Sequence, residues 1–424
     1  MASLANQTEN DAGARSIPLC VDLDGTLINT DMLHEAVFML LRRNILYVFL
    51  IPLWLLGGKA NMKAEIAKRA MPDTKSLPFN KALLSWLKAQ QQSGRKLILA
   101  TASNRRYAKA IADQLKIFSA IEASDDKVNL SSSAKARRLV ELYGEQGFDY
   151  AGNSRADIKV WDKANRAIVV GYESDAVKYA RKAHAERRTD GSGFSSLKVW
   201  LKAIRIHQWL KNTLLFVPAM LGFRAFDLAT GGQLFLAFLA FSFCASGVYL
   251  INDLIDIDVD RKHKTKRNRP IASGQLSVSD ALFGAICMFT LSFYISLHLP
   301  LAFAGTLLLY FVVTAAYSFL LKRLLLIDVL TLAGLFTIRV MAGSAAIGVT
   351  FSTWLLAFCV FFFLSLALVK RFVEISAQLS KSSGSGENGS SKSDTGRGYI
   401  PIDLETLGQA GMTSGFASVV VLAL

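Results

Sequence analysis

The sequence is poor in the residues that staple or ligate small folds. Its 424 residues include only four cysteines and five histidines. Cys20, Cys244, Cys287 and Cys359 each stand in apolar surroundings, without CxxC pairing. That excludes a disulfide framework or a zinc cluster and points to buried thiols in a reducing compartment. Met1 to Ser16 is polar, is expected to be disordered, and lacks the apolar core of a secretory signal peptide. The domain after it is therefore expected to stay in the cytosol. Acidic residues are also scarce, 33 against 48 basic ones, for a net charge of +15. The basic residues lie between apolar runs and are not interleaved with aromatic ones, which excludes a nucleic-acid face. Loops beside anionic lipid account for them.

Apolar residues are abundant, at 52% of the chain, with a mean hydropathy of +0.33. That is too apolar for a soluble protein and too charged for a pure membrane bundle. A soluble α/β domain over residues 17–190 and an all-α, multi-pass membrane domain over 197–424 are predicted. Asp190 to Ser196, rich in Gly and Ser, reads as the linker, centred on residues 191–196.

In the first part, apolar strands are predicted at Ile17 to Val21, Lys96 to Ala100, Phe148 to Ala151 and Ala167 to Val170. Helical patterns alternate with them at Lys81 to Gln91, Arg105 to Leu115, Ala134 to Tyr143 and Asp175 to Glu186. This alternation predicts a doubly wound sheet with its site at the carboxyl edge of the strands. Between the first two strands, about residues 31–90, a helical cap is expected. It contains Ile45 to Leu56, an apolar run too short to span a bilayer. Arg42 and Arg43 precede that run, and Lys59 and Lys63 follow it. One reading rests the run on the bilayer or on the second domain; the other buries it as a hairpin.

In the second part, crossings are predicted at Asn212 to Leu228, Leu234 to Asn252, Ser279 to His298, Leu301 to Leu321, Leu326 to Ile347, Thr353 to Val373, and from Met412 onward. The last is still apolar at Leu424, and a crossing cut short is expected there. Residues 380–396, rich in Ser and Gly, read as a flexible loop. Lys322, Arg323, Lys370, Arg371 and the basic run after Asp260 fall on one side by alternation. The opposite loops hold little beyond Arg224, so the basic side is expected to face the cytoplasm of a bacterial plasma membrane.

The stretch Asn252-Asp-Leu-Ile-Asp-Ile-Asp-Val-Asp260, directly after an apolar run, carries the most chemistry. A helix continued through it would put Asn252, Asp256 and Asp260 on one face. Carboxylates so spaced do not pack in lipid. They suit Mg²⁺, and Mg²⁺ suits a diphosphate. The basic residues just beyond suit further phosphate oxygens.

Asn-Asp-x-x-Asp-x-x-x-Asp followed by Arg269-Pro-Ile-Ala-Ser-Gly274 resembles the first aspartate-rich motif of the UbiA superfamily of intramembrane prenyltransferases. Where that superfamily usually has a second such motif, Tyr317 to Val329 holds the single Asp328. With Phe336-Thr-Ile-Arg339, Ala342-Gly343 and Arg205-Ile-His-Gln208-Trp209-Leu-Lys211-Asn212, the stretch is similar to the decaprenyl-phosphate phosphoribosyltransferase branch, over about Ile204 to Ile375. The resemblance implies phosphoribosyl diphosphate as donor and a polyprenyl phosphate lipid as acceptor. It implies Asn252, Asp253, Asp256 and Asp260 as metal and diphosphate ligands, and Lys211, Lys322 and Arg339 as phosphate-binding residues. Asp328 either completes a second metal site or orients Lys322. An aromatic prenyltransferase is the alternative, and a cation-coupled transporter a remoter one.

Asp22-Leu-Asp24-Gly25-Thr26-Leu27 after an apolar strand resembles the first motif of the haloacid dehalogenase (HAD) superfamily of phosphotransferases. The later motifs follow in order: Thr101 or Ser103 as the phosphate-binding hydroxyl, Lys135 as the phosphate-neutralising lysine, and Gly152-Asn153-Ser-Arg-Ala-Asp157 as the acidic motif. The resemblance implies a Mg²⁺-dependent phosphatase. Asp22 would be the nucleophile and Asp24 the acid and base, with Asn153 and Asp157 joining them around the metal. Asn153 departs from the family's usual Asp and removes one negative charge. The phosphatase is expected to remove the 5-phosphate left by the transferase.

Overall fold

The computed structural model describes residues 17–171, 174–183, 185–188, 196–222, 227–321, 324, 326–383 and 404–423. The chain divides into two compact units. The first holds residues up to Ala203 together with Asp253–Leu282; the second holds Ile204–Asn252 and Phe283–Leu424. The aspartate-rich segment, expected with the membrane part, thus clusters with the α/β part.

In the first unit, six parallel strands form one sheet: β1 (Leu19–Val21), β2 (Leu97–Asn104), β3 (Ala120–Ser124), β4 (Asp149–Gly152), β5 (Arg166–Val170) and β6 (Glu186–Arg188). Their order is β3-β2-β1-β4-β5-β6. The order reverses beside β1, so the crevice at its carboxyl end is where a doubly wound sheet places ligands. Period-two alternation splits the strand residues between two cores. Leu19, Val21, Leu97, Leu99, Ile168 and Val170 pack on one face, and Cys20, Ile98, Ala100, Tyr150 and Val169 on the other. Two strands departed from the predicted pattern. β3 is half-buried throughout most of its length. β6, Glu-Arg-Arg, lies where a helix was predicted to reach Glu186; that helix stops at Lys182.

The expected cap is built of α1 (Met32–Arg43), α2 (Tyr47–Leu56) and α3 (Gly58–Arg69), followed by α4 (Lys81–Gln92). Asp31 caps α1 by accepting from the Leu33 and His34 amides. Around the sheet lie α5 (Arg105–Leu115), α6 (Ser133–Tyr143) and α7 (Ser174–Lys182), and α8 (Ser196–Ala203) ends the segment. The linker's residues 189–195 lie outside the described residues.

Among the described residues, six helices are long and apolar enough to cross a membrane: α10 (Leu228–Ile255), α12 (Val278–Ser296), α13 (Leu301–Phe319), α14 (Ile327–Ala346), α15 (Thr353–Ser383) and α16 (Leu404–Ala423). α9 (Val217–Leu221) and α11 (Ile257–Lys262) are short. The predicted crossing at Asn212 to Leu228 is corrected. Ile206–Phe216 is a 3₁₀ segment, α9 starts around Pro218, and Gly222 ends it. The expected loop at 380–396 begins later, since α15 is helical to Ser383; residues 384–396 lie outside the described residues. Within the second unit, Phe241 of α10, Phe303 and Tyr310 of α13 and Ala342 of α14 share a core.

Candidate functional site

Asp22 follows β1 directly, so the strand's carboxyl end delivers it to the crevice. Its carboxylate accepts from Lys135 Nζ at 2.7 Å, and Lys135 also donates to the Tyr150 hydroxyl at 2.6 Å. Lys135 lies 3.5 Å from Asp157, which accepts from Tyr150 at 2.8 Å. Burial opposes the Lys135 charge, but Asp22 and Asp157 outweigh it and hold the ammonium above the usual lysine range. Burial likewise raises the Asp22 carboxyl, against the pull of Lys135.

Asp24 accepts from the Met32 amide at 2.8 Å and from Ser103 Oγ at 2.7 Å, with Thr101 Oγ1 at 3.4 Å. Burial, reinforced by Asp31, pushes its pKa up to about 6. A carboxyl held there can give and take a proton near neutrality. Gly25 between the two acids has φ +72°, and a Cβ there would lie 2.3 Å from Asn153 Nδ2. The close approach requires glycine. Asn153 Oδ1 accepts from Thr26 Oγ1 at 3.1 Å. The structure thus brings Asp22, Asp24, Thr101, Ser103, Lys135, Asn153 and Asp157 to one strand edge.

Asp157, expected beside the metal, has both carboxylate oxygens bonded within the site. One oxygen takes Tyr150 and Lys135; the other takes the Asn153 amide, the Ser154 amide and Ser154 Oγ, each at 3.1 Å. It braces the loop and the lysine. Two residues were missed in the sequence. Tyr150 read only as a strand residue. Lys63, read as a flank of the apolar run, sits on α3 and donates to the Ala102 carbonyl at 2.6 Å and to Asn129 at 2.9 Å. Burial lowers its pKa, against Asp24 and Asp31. No spacing rule links residues so far apart in sequence.

The aspartate-rich segment forms a second cluster in the same unit. α10 ends at Ile255 and Asp256 stands between it and α11, so the one-face helix expected through Asn252, Asp256 and Asp260 is interrupted. The chain beyond turns back, and Arg269 Nη1 bonds Asp253 at 3.0 Å and Asp260 at 2.6 Å. Both carboxylates are buried. Burial raises the Asp260 carboxyl, against the pull of Arg269. Asn252 Nδ2 donates to Ser318 at 3.0 Å. The α/β part grips this segment: Arg261 bonds Glu35 at 2.6 and 3.2 Å, Arg42 bonds Asp258 at 3.1 Å, and Lys262 pairs with Asp73 at 2.9 Å. Gly274, at φ +75°, packs so closely that a Cβ would meet the Asn29 carbonyl at 2.2 Å.

Among the described residues, no three His, Cys, Asp or Glu side chains are grouped as a metal site. A bridging base stands at each cluster instead: Lys135 between Asp22 and Asp157, Arg269 between Asp253 and Asp260. The side chains at both clusters are nonetheless oxygen donors of the kind a hard cation takes, although among the described residues they are not gathered into a three-carboxylate set.

In the second unit one of the expected phosphate ligands, Arg339, is bonded within the helices. Arg339 is buried and donates to Asn212 at 2.9 Å, the Leu335 carbonyl at 2.6 Å and the Tyr310 hydroxyl at 3.1 Å. Asp328 is wholly buried and accepts from Arg371 at 2.6 and 2.9 Å and from Tyr317 at 2.9 Å. Asp328, expected to complete a second metal site or to orient Lys322, is held here by Arg371 and Tyr317. Arg371, read as a loop charge, is its missed partner. Lys322 lies outside the described residues, and Lys211 is exposed. Arg371→Ala leaves a buried carboxylate unpaired and should cost about 3–5 kcal/mol of stability. Thermal unfolding in detergent, with Asp328→Leu/Arg371→Met as the compensated control, measures it.

A model described as the UbiA prenyltransferase family matches residues 213–377. An uncharacterized protein, y4nM, of Sinorhizobium fredii is 39% identical over 98% of this chain and 79% of its own length. The decaprenyl-phosphate phosphoribosyltransferase of Corynebacterium glutamicum is 38% identical over 41% of this chain and 54% of that enzyme. The chain thus spans little over half of that enzyme. A solved UbiA homolog from Archaeoglobus fulgidus, bound to GPP and Mg²⁺, has a TM-score of 0.43 at 20% identity, covering 53% of this chain and 76% of that one.

Proposed function

We propose a two-step enzyme, a reading supported by the match of residues 213–377 to the UbiA prenyltransferase family. The membrane part moves phosphoribose from phosphoribosyl diphosphate to a polyprenyl phosphate. The α/β part, as a HAD-like phosphatase, then removes the 5-phosphate of the product. The observation that carries this reading is the pairing of two acidic clusters, around Asp22 and around Asp253, in one compact unit.

For the transfer, Asp253, Asp256 and Asp260 would hold Mg²⁺, with Asn252 beside them. Mg²⁺ supplies charge neutralisation for a leaving diphosphate. Arg269 keeps Asp253 and Asp260 together before the donor arrives. The lipid phosphate attacks C1 as the diphosphate leaves. Similarity to an enzyme named for this phosphoribosyl transfer supports the donor, and the ion pairing of the lone Asp328 leaves no second aspartate-rich motif for a prenyl diphosphate.

For the hydrolysis, Asp22, the Asp24 carbonyl and Asn153 would hold Mg²⁺. Asp22 attacks phosphorus and Asp24 protonates the departing oxygen, then activates water against the aspartyl-phosphate. Ser103, Thr101 and Lys135 bind the phosphoryl oxygens. Both sites face the cytoplasm in this reading.

The donor is tested by feeding. Vesicles carrying the protein, given polyprenyl phosphate, phosphoribosyl diphosphate and Mg²⁺, should yield a lipid-linked pentose. Product formed only from a polyprenyl diphosphate and an aromatic acid would reverse the assignment of donor and acceptor.

A further inference from the structure

The cap carries a surface that neither reaction uses. α2 has no charged residue, and its sequence, Tyr47-Val-Phe-Leu-Ile-Pro-Leu-Trp-Leu-Leu56, is apolar on every side. Only Tyr47, Ile51 and Trp54, spaced i, i+4 and i+7, turn inward. Tyr47 and Trp54 pack on the α/β core, and Arg69 lies 4.8 Å over the Trp54 ring. The rest is open to solvent, with Phe49 at 70% and Leu56 at 85% exposure, and Ile45, Leu46 and Leu53 also exposed. A helix apolar all round belongs in a core or in lipid. A contiguous apolar patch of this kind marks an interaction site. The expectation of a buried hairpin is therefore corrected, since no residue of α2 is buried.

Three observations identify lipid as the occupant. The first is position. Arg42, at the end of α1 and five residues before α2, donates to the carbonyl of Ile255 at 2.6 Å. Ile255 is the last residue of α10, a helix long and apolar enough to cross a membrane. The chain just before α2 is thus tied to Ile255, within the same compact unit. The second is charge. From Ala36 to Ala64 the chain has Arg42, Arg43, Lys59 and Lys63 and no acidic residue. Arg43 and Lys59 are exposed at the two ends of the apolar stretch, as suits anionic headgroups. The third is depth. Pro52 lacks an amide hydrogen, so the Val48 carbonyl loses its helical donor. That carbonyl is tolerable where water reaches it and costly deep in hydrocarbon.

We infer that α2 lies in the plane of the membrane interface and docks the cap on lipid, so that the phosphatase site takes a phosphate monoester carried by a membrane lipid. The substrate class rests on the phosphatase reading above; the docking surface does not. Gly57 alone separates α2 from α3, the helix that carries Lys63 to the Ala102 carbonyl beside Ser103. A helix seated on lipid therefore sets the position of the wall over the Asp24 side of the site. A lipid-borne phosphate reaches Asp22 without leaving the membrane, whereas a soluble ester gains nothing from the helix.

The test uses the full chain in vesicles of phosphatidylcholine and phosphatidylglycerol. Spin labels are placed at Phe49→Cys and Leu53→Cys in a Cys287→Ser background, and their collisions with oxygen and with a water-soluble nickel complex are compared. High oxygen and low nickel accessibility at both positions is expected. Nickel-accessible labels would overturn docking on lipid, as would labels shielded from both reagents, which would mean a covering protein surface from this chain or a second copy. The second measurement is hydrolysis. Phe49→Glu/Leu53→Glu should slow turnover of a polyprenyl-linked phosphate monoester by about tenfold, the effect of charging a lipid-facing helix, and leave p-nitrophenyl phosphate turnover unchanged. Equal loss on both substrates rejects the substrate class. A wild-type protein that hydrolyses neither ester, with labels in lipid, rejects the phosphatase reading and leaves the docking surface standing.

Discussion

An Asp22→Asn protein should hydrolyse phosphate monoesters at least about 10³-fold more slowly than wild type, the scale of losing a covalent nucleophile. It should still form lipid-linked phosphoribose, which accumulates with its 5-phosphate in place. The substitution keeps shape and removes the carboxylate charge of the proposed nucleophile. The site should survive it, because Lys135 retains Tyr150 at 2.6 Å and Asp157 at 3.5 Å, and Asp157 retains its three loop donors. Asp24 keeps the Met32 amide and Ser103. Mass spectrometry of the extracted lipid distinguishes the phosphorylated from the dephosphorylated product. Identical products from the two proteins would separate the α/β part from this sequence of steps and assign it another phosphate ester.

What could be read along the chain was what lies close along the chain. Asp22 and Asp24 stand two residues apart after an apolar strand, so the sequence placed them at a sheet edge, and β1 delivers them there. The six membrane-length helices among the described residues announce themselves by length and hydropathy, and one spurious crossing arose where Pro218 and Gly222 break an otherwise apolar run. β6 escaped because Glu-Arg-Arg has no apolar signature and completes the sheet by backbone pairing with β5 alone. Asp256 looked like a helical residue because spacing cannot show that α10 stops at Ile255. The partners of the special residues were the least legible. Arg339 was marked out by its depth in an apolar helix, but its bonds to Asn212 and Tyr310 cross 127 and 29 residues. Arg371 and Asp328 are 43 residues apart. Tyr150 and Lys63 joined the α/β site for the same reason: tertiary packing, not local pattern, put them there.

Asp253→Asn should lower lipid-linked pentose formation by roughly 10²–10³-fold, the scale of losing one strong electrostatic contact to a developing charge, with p-nitrophenyl phosphate hydrolysis unchanged. The reason lies in the charge count at Arg269. Its guanidinium meets two buried carboxylates, Asp253 and Asp260, through one nitrogen. One guanidinium is thus shared between two carboxylates, and Asp256 is close enough to act on Asp260 as well. A divalent cation with its diphosphate is attracted there. Replacing Asp253 by the isosteric amide leaves Arg269 and Asp260 as a neutral pair, and the pull on the cation falls. Arg269→Gln acts in the opposite sense. It removes the internal countercharge, so more Mg²⁺ attraction is bought at the cost of two buried carboxylates that repel each other. Its transfer rate should fall less than that of Asp253→Asn, and its apparent Mg²⁺ requirement should shift to lower concentration. Titrating Mg²⁺ against transfer, and separately against thermal unfolding of the unliganded protein, reads both effects. A Mg²⁺ dependence identical in wild type, Asp253→Asn and Arg269→Gln would show that these carboxylates hold the arginine for structural reasons and that the diphosphate is bound elsewhere.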